Sequence, residues 1–128
     1  MIFVLGNPLL GADGKAIKKV TLANQYRWLT VGEVIAKADS IAKGLHNAGV
    51  RPGDRVILYA ETQPDWFFCS LAVSKLNATL VTLYSNLGES GVIHCMNQTR
   101  AEFVITTEEL KNKLLPLIGD KISSVKNV

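Results

Sequence analysis

The groups able to do chemistry in this sequence are few and widely separated. Gly44-Leu45-His46-Asn47-Ala48-Gly49 has the glycine spacing of a phosphate-binding loop. Val50-Arg51 follow, however, where lysine and serine or threonine are needed to reach phosphates and magnesium. The stretch also falls at a predicted helix C-terminus, whose dipole repels anions. Gly88-Glu89-Ser90-Gly91 resembles a nucleophile elbow but lacks glycine at the second required position, so Ser90 reads as a capping or solvated residue of a first helical turn. His94-Cys95 with the distant Cys69 is the one conceivable metal set, and its spacing matches no zinc site. Packed thiols are the simpler reading. His46 suits the last turn of a helix, where a cation complements the dipole. Glu61, Asp65, Glu89 and Glu102 are isolated carboxylates at predicted element ends, with no pair spaced for acid–base work. Trp66 and Tyr84 are residue types that serve as core or interface anchors more often than as binding-site walls. No catalytic, cofactor-binding or metal-ligating residue is assigned on this basis.

The elements that would have to position such groups are much clearer. At 128 residues the chain suits one domain or part of a larger one, and it can bury roughly two-thirds of its unfolded surface. Apolar residues make up 48% and charged residues 20%, the ordinary balance of a globular chain rather than a disordered one. The net charge of +3 is spread thinly. Its densest patch, Lys15, Lys18 and Lys19, lacks interleaved aromatics, so it reads as a solvated face or a phosphate or anionic-lipid contact, and no nucleic-acid partner is expected. Two cysteines do not make a disulfide framework, and reduced thiols fit a cytosolic setting. The longest apolar run, Trp66 to Val73 apart from Ser70, is too short to span a bilayer, and Met1 to Leu5 lacks the basic start of a signal peptide.

Residues 1–29 read as an irregular lead-in with turns at Asn7-Pro8 and Ala12-Asp13-Gly14. Ile17 to Leu22 and Tyr26 to Leu29 are expected to be short strands, forming an edge hairpin around Asn24 and Gln25. Residues 30–128 are expected to form one α/β unit. Thr30-Val31-Gly32-Glu33 fits a capping box, and Val31, Val34, Ile35, Ala38, Ile41, Ala42 and Leu45 follow at helical spacing, predicting a helix over 30–48 with Gly49 as its left-handed stop. Val56 to Ala60 reads as a strand buried on both faces. A helix over 64–76 starts at Pro64 and Asp65 and is apolar on most sides, which predicts burial between layers. Then come a strand at Thr79 to Leu83, a helix from Leu87 to Gln98, a strand from Glu102 to Thr106 and a helix from Thr107 to Leu117 capped by Thr107 or Thr106. Ile122 to Val128 is expected to begin a fourth strand. This alternation implies a mostly parallel sheet with helices on both faces. Ending as the last strand begins leaves an unpaired edge, the mark expected of a fragment.

Three stretches in order carry a family resemblance. Tyr26-Arg27-Trp28-Leu29-Thr30 leads through the first helix to Gly44-Leu45 and then to Gly49-Val50-Arg51-Pro52-Gly53-Asp54-Arg55-Val56. Ala60-Glu61-Thr62-Gln63-Pro64-Asp65-Trp66 follows, then Leu80-Val81-Thr82-Leu83-Tyr84-Ser85-Asn86-Leu87-Gly88-Glu89, continuing to His94 and Asn97. Together, over about residues 7–127, they resemble the N-terminal region of long-chain acyl-CoA synthetases of the adenylate-forming superfamily. The Leu-Val-Thr-Leu-Tyr form, with Asn7-Pro8-Leu9-Leu10 and Ala12-Asp13-Gly14-Lys15 upstream, is closest to the animal subgroup that favours arachidonate. Asn86, Gly91 and Gln63 depart from the family's usual threonine, alanine and arginine. The first two are expected to weaken the helix after Tyr84, and the third removes an ion-pair partner.

The resemblance implies a parent enzyme that joins a fatty acid to ATP as acyl-AMP and then transfers the acyl group to CoA, with magnesium. The family's phosphate-binding loop, ribose-binding aspartate and catalytic lysine lie beyond the position of Val128, so this piece is expected to be scaffold, with no cofactor of its own and inactive alone. Tyr84 to Gly88, at a strand's C-terminal end, is where a ligand-facing loop is expected in an open parallel sheet. The parent is expected on the cytosolic face of the endoplasmic reticulum or other intracellular membranes, attached through parts outside this chain. The alternative is a truncated interaction module that pairs with full-length subunits, or self-associates, through an open sheet edge.

Overall fold

The structure, a computed structural model, describes residues 26–128 in full and, before them, the strand residues 3–5, 9–10, 16–17 and 20–22. The chain divides into two compact units, Met1–Val31 and Gly32–Val128.

In the first unit β1 (Phe3–Leu5) pairs antiparallel with β4 (Val20–Leu22), and β2 (Leu9–Leu10) pairs with β3 (Ala16–Ile17). The single strand expected over Ile17 to Leu22 is therefore two short pieces. The expected second strand at Tyr26 to Leu29 does not form, and β4 takes β1 as its partner instead. Tyr26 and Trp28 are 76% and 84% exposed and meet each other, ring centroids 6.1 Å apart. A strand there has no described partner to bond. The expected turns at residues 7–8, 12–14 and 24–25, and Lys15, Lys18 and Lys19, lie outside the described residues.

The second unit is a three-layer α/β arrangement, as the alternation predicts. Helix α1 (Val31–Asn47) starts directly after Thr30. Its end is a closed left-handed turn. Gly49 has φ +110°, its N–H donates to the His46 carbonyl at 3.1 Å, and the Val50 N–H donates to the Leu45 carbonyl at 3.0 Å. Only glycine takes that φ without strain. The turn drives Val50, fully buried, against Leu45 and starts one core cluster. Helix α2 (Pro64–Lys75) ends the same way, with Asn77 at φ 54° and the Ala78 N–H on the Val73 carbonyl at 3.2 Å.

The parallel sheet runs in the order β6 (Thr79–Leu83), β5 (Arg55–Tyr59), β7 (Phe103–Thr106). Side-chain alternation sorts its residues onto two faces. Val56, Leu80, Phe103 and Ile105 join Val50 and Val73 under α1 and α2. Ile57, Tyr59, Val81, Leu83 and Val104 join the larger cluster with Val92 and Met96 of α3 (Glu89–Thr99) and Leu110 and Leu114 of α4 (Glu108–Leu114). The central strand β5 is accordingly buried at all four positions after Arg55.

Four expectations shift. Helix α3 starts at Glu89 rather than Leu87, because Gly88 is extended (ψ 159°) and Leu87 closes a turn on the Tyr84 carbonyl at 3.0 Å. Helix α4 stops at Leu114 and tightens into a 3₁₀ turn, Leu115–Leu117, because Pro116 cannot donate and disfavours a helical residue before it. Helix α2 is covered on one stripe only, Phe68, Ala72 and Val73, while Phe67 is 51% exposed. The fourth strand is one rung long: Asn127 bridges Phe103 in parallel, and its carbonyl accepts from the Val104 N–H at 2.9 Å.

Candidate functional site

In an open parallel sheet the carboxyl ends of the strands form the natural crevice for a ligand. Here β5 and β6 end in register, Tyr59 beside Leu83, and the chain then leaves each strand into a loop. Between those loops lies a crevice of about 290 Å³ lined by Glu61, Thr62, Trp66, Thr82, Tyr84 and Ser85 over a floor of Ala60 and Leu83. Leu83, 5% exposed, anchors the end of β6 in the core. The residue after it, Tyr84, points the other way and is 82% exposed. The turn from Tyr84 to Leu87 sets that loop. On the neighbouring strand the Thr106 hydroxyl donates to the Tyr59 carbonyl at 2.7 Å, holding the ends of β5 and β7 together. Trp66, half-buried in the first turns of α2, forms the facing wall.

This lining offers hydroxyls, two aromatic surfaces and the Glu61 carboxylate, and no lysine or arginine. Such a surface can stack against or hydrogen-bond a neutral or apolar group. It does not fit a triphosphate, whose charge requires clustered cationic donors. Among the described residues no group of three or more histidine, cysteine, aspartate or glutamate side chains is arranged to hold a metal ion.

The other candidates fall apart in space. Cys69 and Cys95 are half-buried free thiols on α2 and α3, which cover opposite faces of the sheet, so they cannot share a metal with His94. Burial, then the nearby Asp65, pushes the Cys69 thiol above its ordinary value, which suppresses thiolate chemistry. The Gly44–Gly49 stretch is the C-terminal end of α1 and the turn after it, and Arg51 reinforces that end: its Nη1 donates to the His46 carbonyl at 2.7 Å, which also accepts from the Gly49 N–H, and to the Val50 carbonyl at 3.0 Å. Ser90 is an exposed first-turn residue of α3. Glu89 and Glu102 are not isolated: they pair with Lys121 at 2.6 Å and Lys126 at 2.8 Å. No described helix is long and apolar enough to cross a membrane.

A family model described as "AMP-binding enzyme" matches residues 12–127. Long chain acyl-CoA synthetase 8 of Arabidopsis thaliana is 32% identical over 120 residues, covering 94% of this chain and 16% of that protein. Long-chain-fatty-acid–CoA ligase 3 of Saccharomyces cerevisiae is 30% identical over 110 residues, covering 80% and 16%. The chain thus spans about one-sixth of the length of these relatives. Among solved structures, the N-terminal domain of FACL13 from Mycobacterium tuberculosis superposes with a TM-score of 0.70 at 21% identity, over 77% of this chain and 25% of that one, which shows the shared fold.

Proposed function

The chain belongs to the family of AMP-binding enzymes, and on that premise we propose that it is part of a long-chain fatty acid–CoA ligase in which it serves as scaffold. The parent activates a fatty acid with ATP and magnesium as acyl-AMP and passes the acyl group to CoA. The observation that carries this reading is the similarity to plant and yeast acyl-CoA synthetases along nearly the whole chain. The present segment contributes one α/β layer and the Tyr84–Trp66 crevice. The crevice lining carries no lysine or arginine to hold a phosphate; its aromatic and hydroxyl groups suit the acyl substrate or the loops that guide it. Within this reading the Leu80-Val81-Thr82-Leu83-Tyr84 segment points to arachidonate and related acids as substrates. Its place is the cytosolic face of an intracellular membrane, such as the endoplasmic reticulum.

The test is a pair of assays. The purified 128-residue chain, given fatty acid, ATP, magnesium and CoA, is expected to form no acyl-CoA. A chimera carrying this segment in place of the matching stretch of the yeast ligase is expected to form it, and Tyr84→Ala in that chimera is expected to raise the KM for fatty acid. Acyl-CoA formed by the isolated chain defeats the scaffold reading, and unchanged fatty-acid kinetics in Tyr84→Ala removes the crevice from it.

A second reading rests on β6. Among the described residues it pairs only with β5, so its outer edge presents free backbone donors and acceptors to another strand. That edge would let the chain pair with itself or with a full-length subunit as a non-catalytic module. Concentration-dependent dimers abolished by Leu80→Pro, in a chain that still folds, distinguish it from the scaffold reading.

A further inference from the structure

The helices that cover one face of the sheet stop short at its carboxyl end. Helix α3 begins only at Glu89, because Gly88 is extended, and α4 gives way at Leu115 to the 3₁₀ turn that contains Pro116. Tyr59, the last residue of β5, shares a lining with these two helix ends. The space left there is a cavity of about 280 Å³, walled by Tyr59, Leu87, Val92, Leu114 and Leu117, with Glu89 and Lys113 also in its lining. The turn from Tyr84 to Leu87 divides it from the crevice described above. Tyr84 lines the crevice, Leu87 lines the cavity, and the two linings share no residue.

Tyr59 is only 4% exposed and belongs to the main core cluster. Its backbone carbonyl accepts from Thr106, but its hydroxyl makes no hydrogen bond to a protein group. That hydroxyl is not sealed in. Among the described residues that are not exposed, Ser124 Oγ is the sole side-chain polar atom both unpartnered and shut off from the surface. The Tyr59 oxygen therefore keeps accessible surface, and the cavity is what its side chain lines. A buried phenol with an uncommitted donor is uncommon, because tyrosine hydroxyls taken out of water normally find a partner. The other walls, Leu87, Val92, Leu114 and Leu117, are apolar. The two charged groups of the lining are already neutralised, Glu89 by Lys121 at 2.6 Å and Lys113 by Glu109 at 3.4 Å. Their side chains are 58% and 64% exposed, which places them at the rim.

We propose that this cavity binds a small neutral molecule with an apolar body and one hydrogen-bond-accepting oxygen, a ketone for example, which takes the free donor of Tyr59. Volume sets the size. An apolar cavity of about 150 Å³ holds one benzene ring, so about 280 Å³ admits a single substituted ring or a comparably short chain. Charge sets the rest. An ion in the cavity would lose its hydration among apolar walls and meet no uncommitted counter-charge. A neutral acceptor loses little by entering and gains the Tyr59 hydrogen bond. The carboxylate of a fatty acid is excluded by the same argument, so the site is separate from the acyl-substrate role proposed for the crevice.

Amide spectra of the isotopically labelled chain, titrated with acetophenone, α-methylstyrene and benzoate, test this. The three probes share one ring; the first carries a neutral acceptor, the second lacks it and the third carries a charge. Saturable shifts at Tyr59, Leu87, Val92 and Leu117 are expected with acetophenone. Binding is expected to be about fivefold weaker with α-methylstyrene and absent with benzoate. Tyr59→Phe removes a hydroxyl that no protein group uses, so the spectrum of the free chain is expected to survive. In that variant acetophenone should bind about fivefold less tightly and α-methylstyrene as before. Gly91→Ala, whose Cβ meets Leu87 at 2.9 Å and turns it into the cavity, is expected to weaken both neutral probes. The assignment is overturned by any of four results: no saturable shifts with acetophenone, shifts at Glu61, Thr62 and Ser85 of the crevice instead, undiminished acetophenone binding in Tyr59→Phe, or benzoate binding as tightly as acetophenone. None of these readouts depends on acyl-CoA formation, so this site and the scaffold reading stand or fall separately.

Discussion

Gly91 offers a test in which sequence rules and packing pull in opposite directions. Glycine inside a helix costs about 1 kcal/mol relative to alanine, so Gly91→Ala in α3 should stabilise the chain by that amount on propensity alone. A Cβ built at Gly91, however, lies 2.9 Å from both Cγ and Cδ1 of Leu87 and 3.4 Å from its Cδ2. Leu87 is half-buried and packs on the main cluster, but it also lines a cavity of about 280 Å³ beside Tyr59, Val92 and Leu114, so it has room to turn away. Forcing that side chain off its rotamer costs about 0.5–1.5 kcal/mol. The two terms nearly cancel, and Gly91→Ala alone is expected to change stability by less than about 0.5 kcal/mol. In a Leu87→Ala background the clash is gone, and the same change is expected to deliver its full ~1 kcal/mol. Urea unfolding of the four proteins of this cycle, with constant m-values, measures a coupling of about 1 kcal/mol. A gain of a full kcal/mol in both backgrounds, with no coupling, refutes the clash.

Two further outcomes are expected. Gly49→Ala meets no close neighbour, the nearest being Phe103 Cζ at 3.7 Å, so its whole effect is backbone strain at φ +110°; urea unfolding should show a loss of about 1–2 kcal/mol after the entropic gain of alanine in the unfolded chain. Cys69 should react with iodoacetamide only as pH rises above the ordinary thiol range, because burial first and Asp65 second raise its pKa. The linked stability is fully present below the unfolded thiol's pKa and is lost as pH rises through the folded one, so Cys69→Ala is expected to flatten the alkaline limb of the stability–pH curve.

Most of the second unit was legible because local rules and packing agree there. The apolar run at Val56 to Tyr59, the 3.6-residue spacing before Gly49 and the turn at Pro52-Gly53 each specify one element, and the observed β5 and α1 start or stop within about two residues of those signals. The stretch at Tyr26 to Leu29 misled for the opposite reason. Aromatic and apolar residues favour a strand only when another strand supplies backbone partners, and the described chain supplies none. The Tyr84 loop was anticipated from topology, since it follows a parallel strand. Trp66 as its facing wall was not, because that depends on β5 and β6 ending in register. Tyr59, Leu87 and Leu117 left no sequence signal as a set: they come from three distant segments, and only the late start of α3 and the early end of α4 place them around one cavity.

The distribution of burial then constrains where such a unit can act. Both faces of its sheet are covered, one by α1 and α2 and the other by α3 and α4, and β5 is buried on both. A ligand cannot approach a covered face without displacing the core, which would cost several kcal/mol per large side chain uncovered. Among the described residues the surfaces the sheet itself offers are the two sets of strand ends and the outer edge of β6. The crevice at the carboxyl ends carries aromatic and hydroxyl groups with a single carboxylate, and a cleft at the amino ends has Arg55 and Arg100 in its lining. Because the same three strands fix both ends, a change in the register of β5 against β7 would dismantle the arginine cleft while leaving the Tyr84 crevice, which depends on β5 and β6, in place. The two clefts are therefore separable by mutation although one sheet builds both.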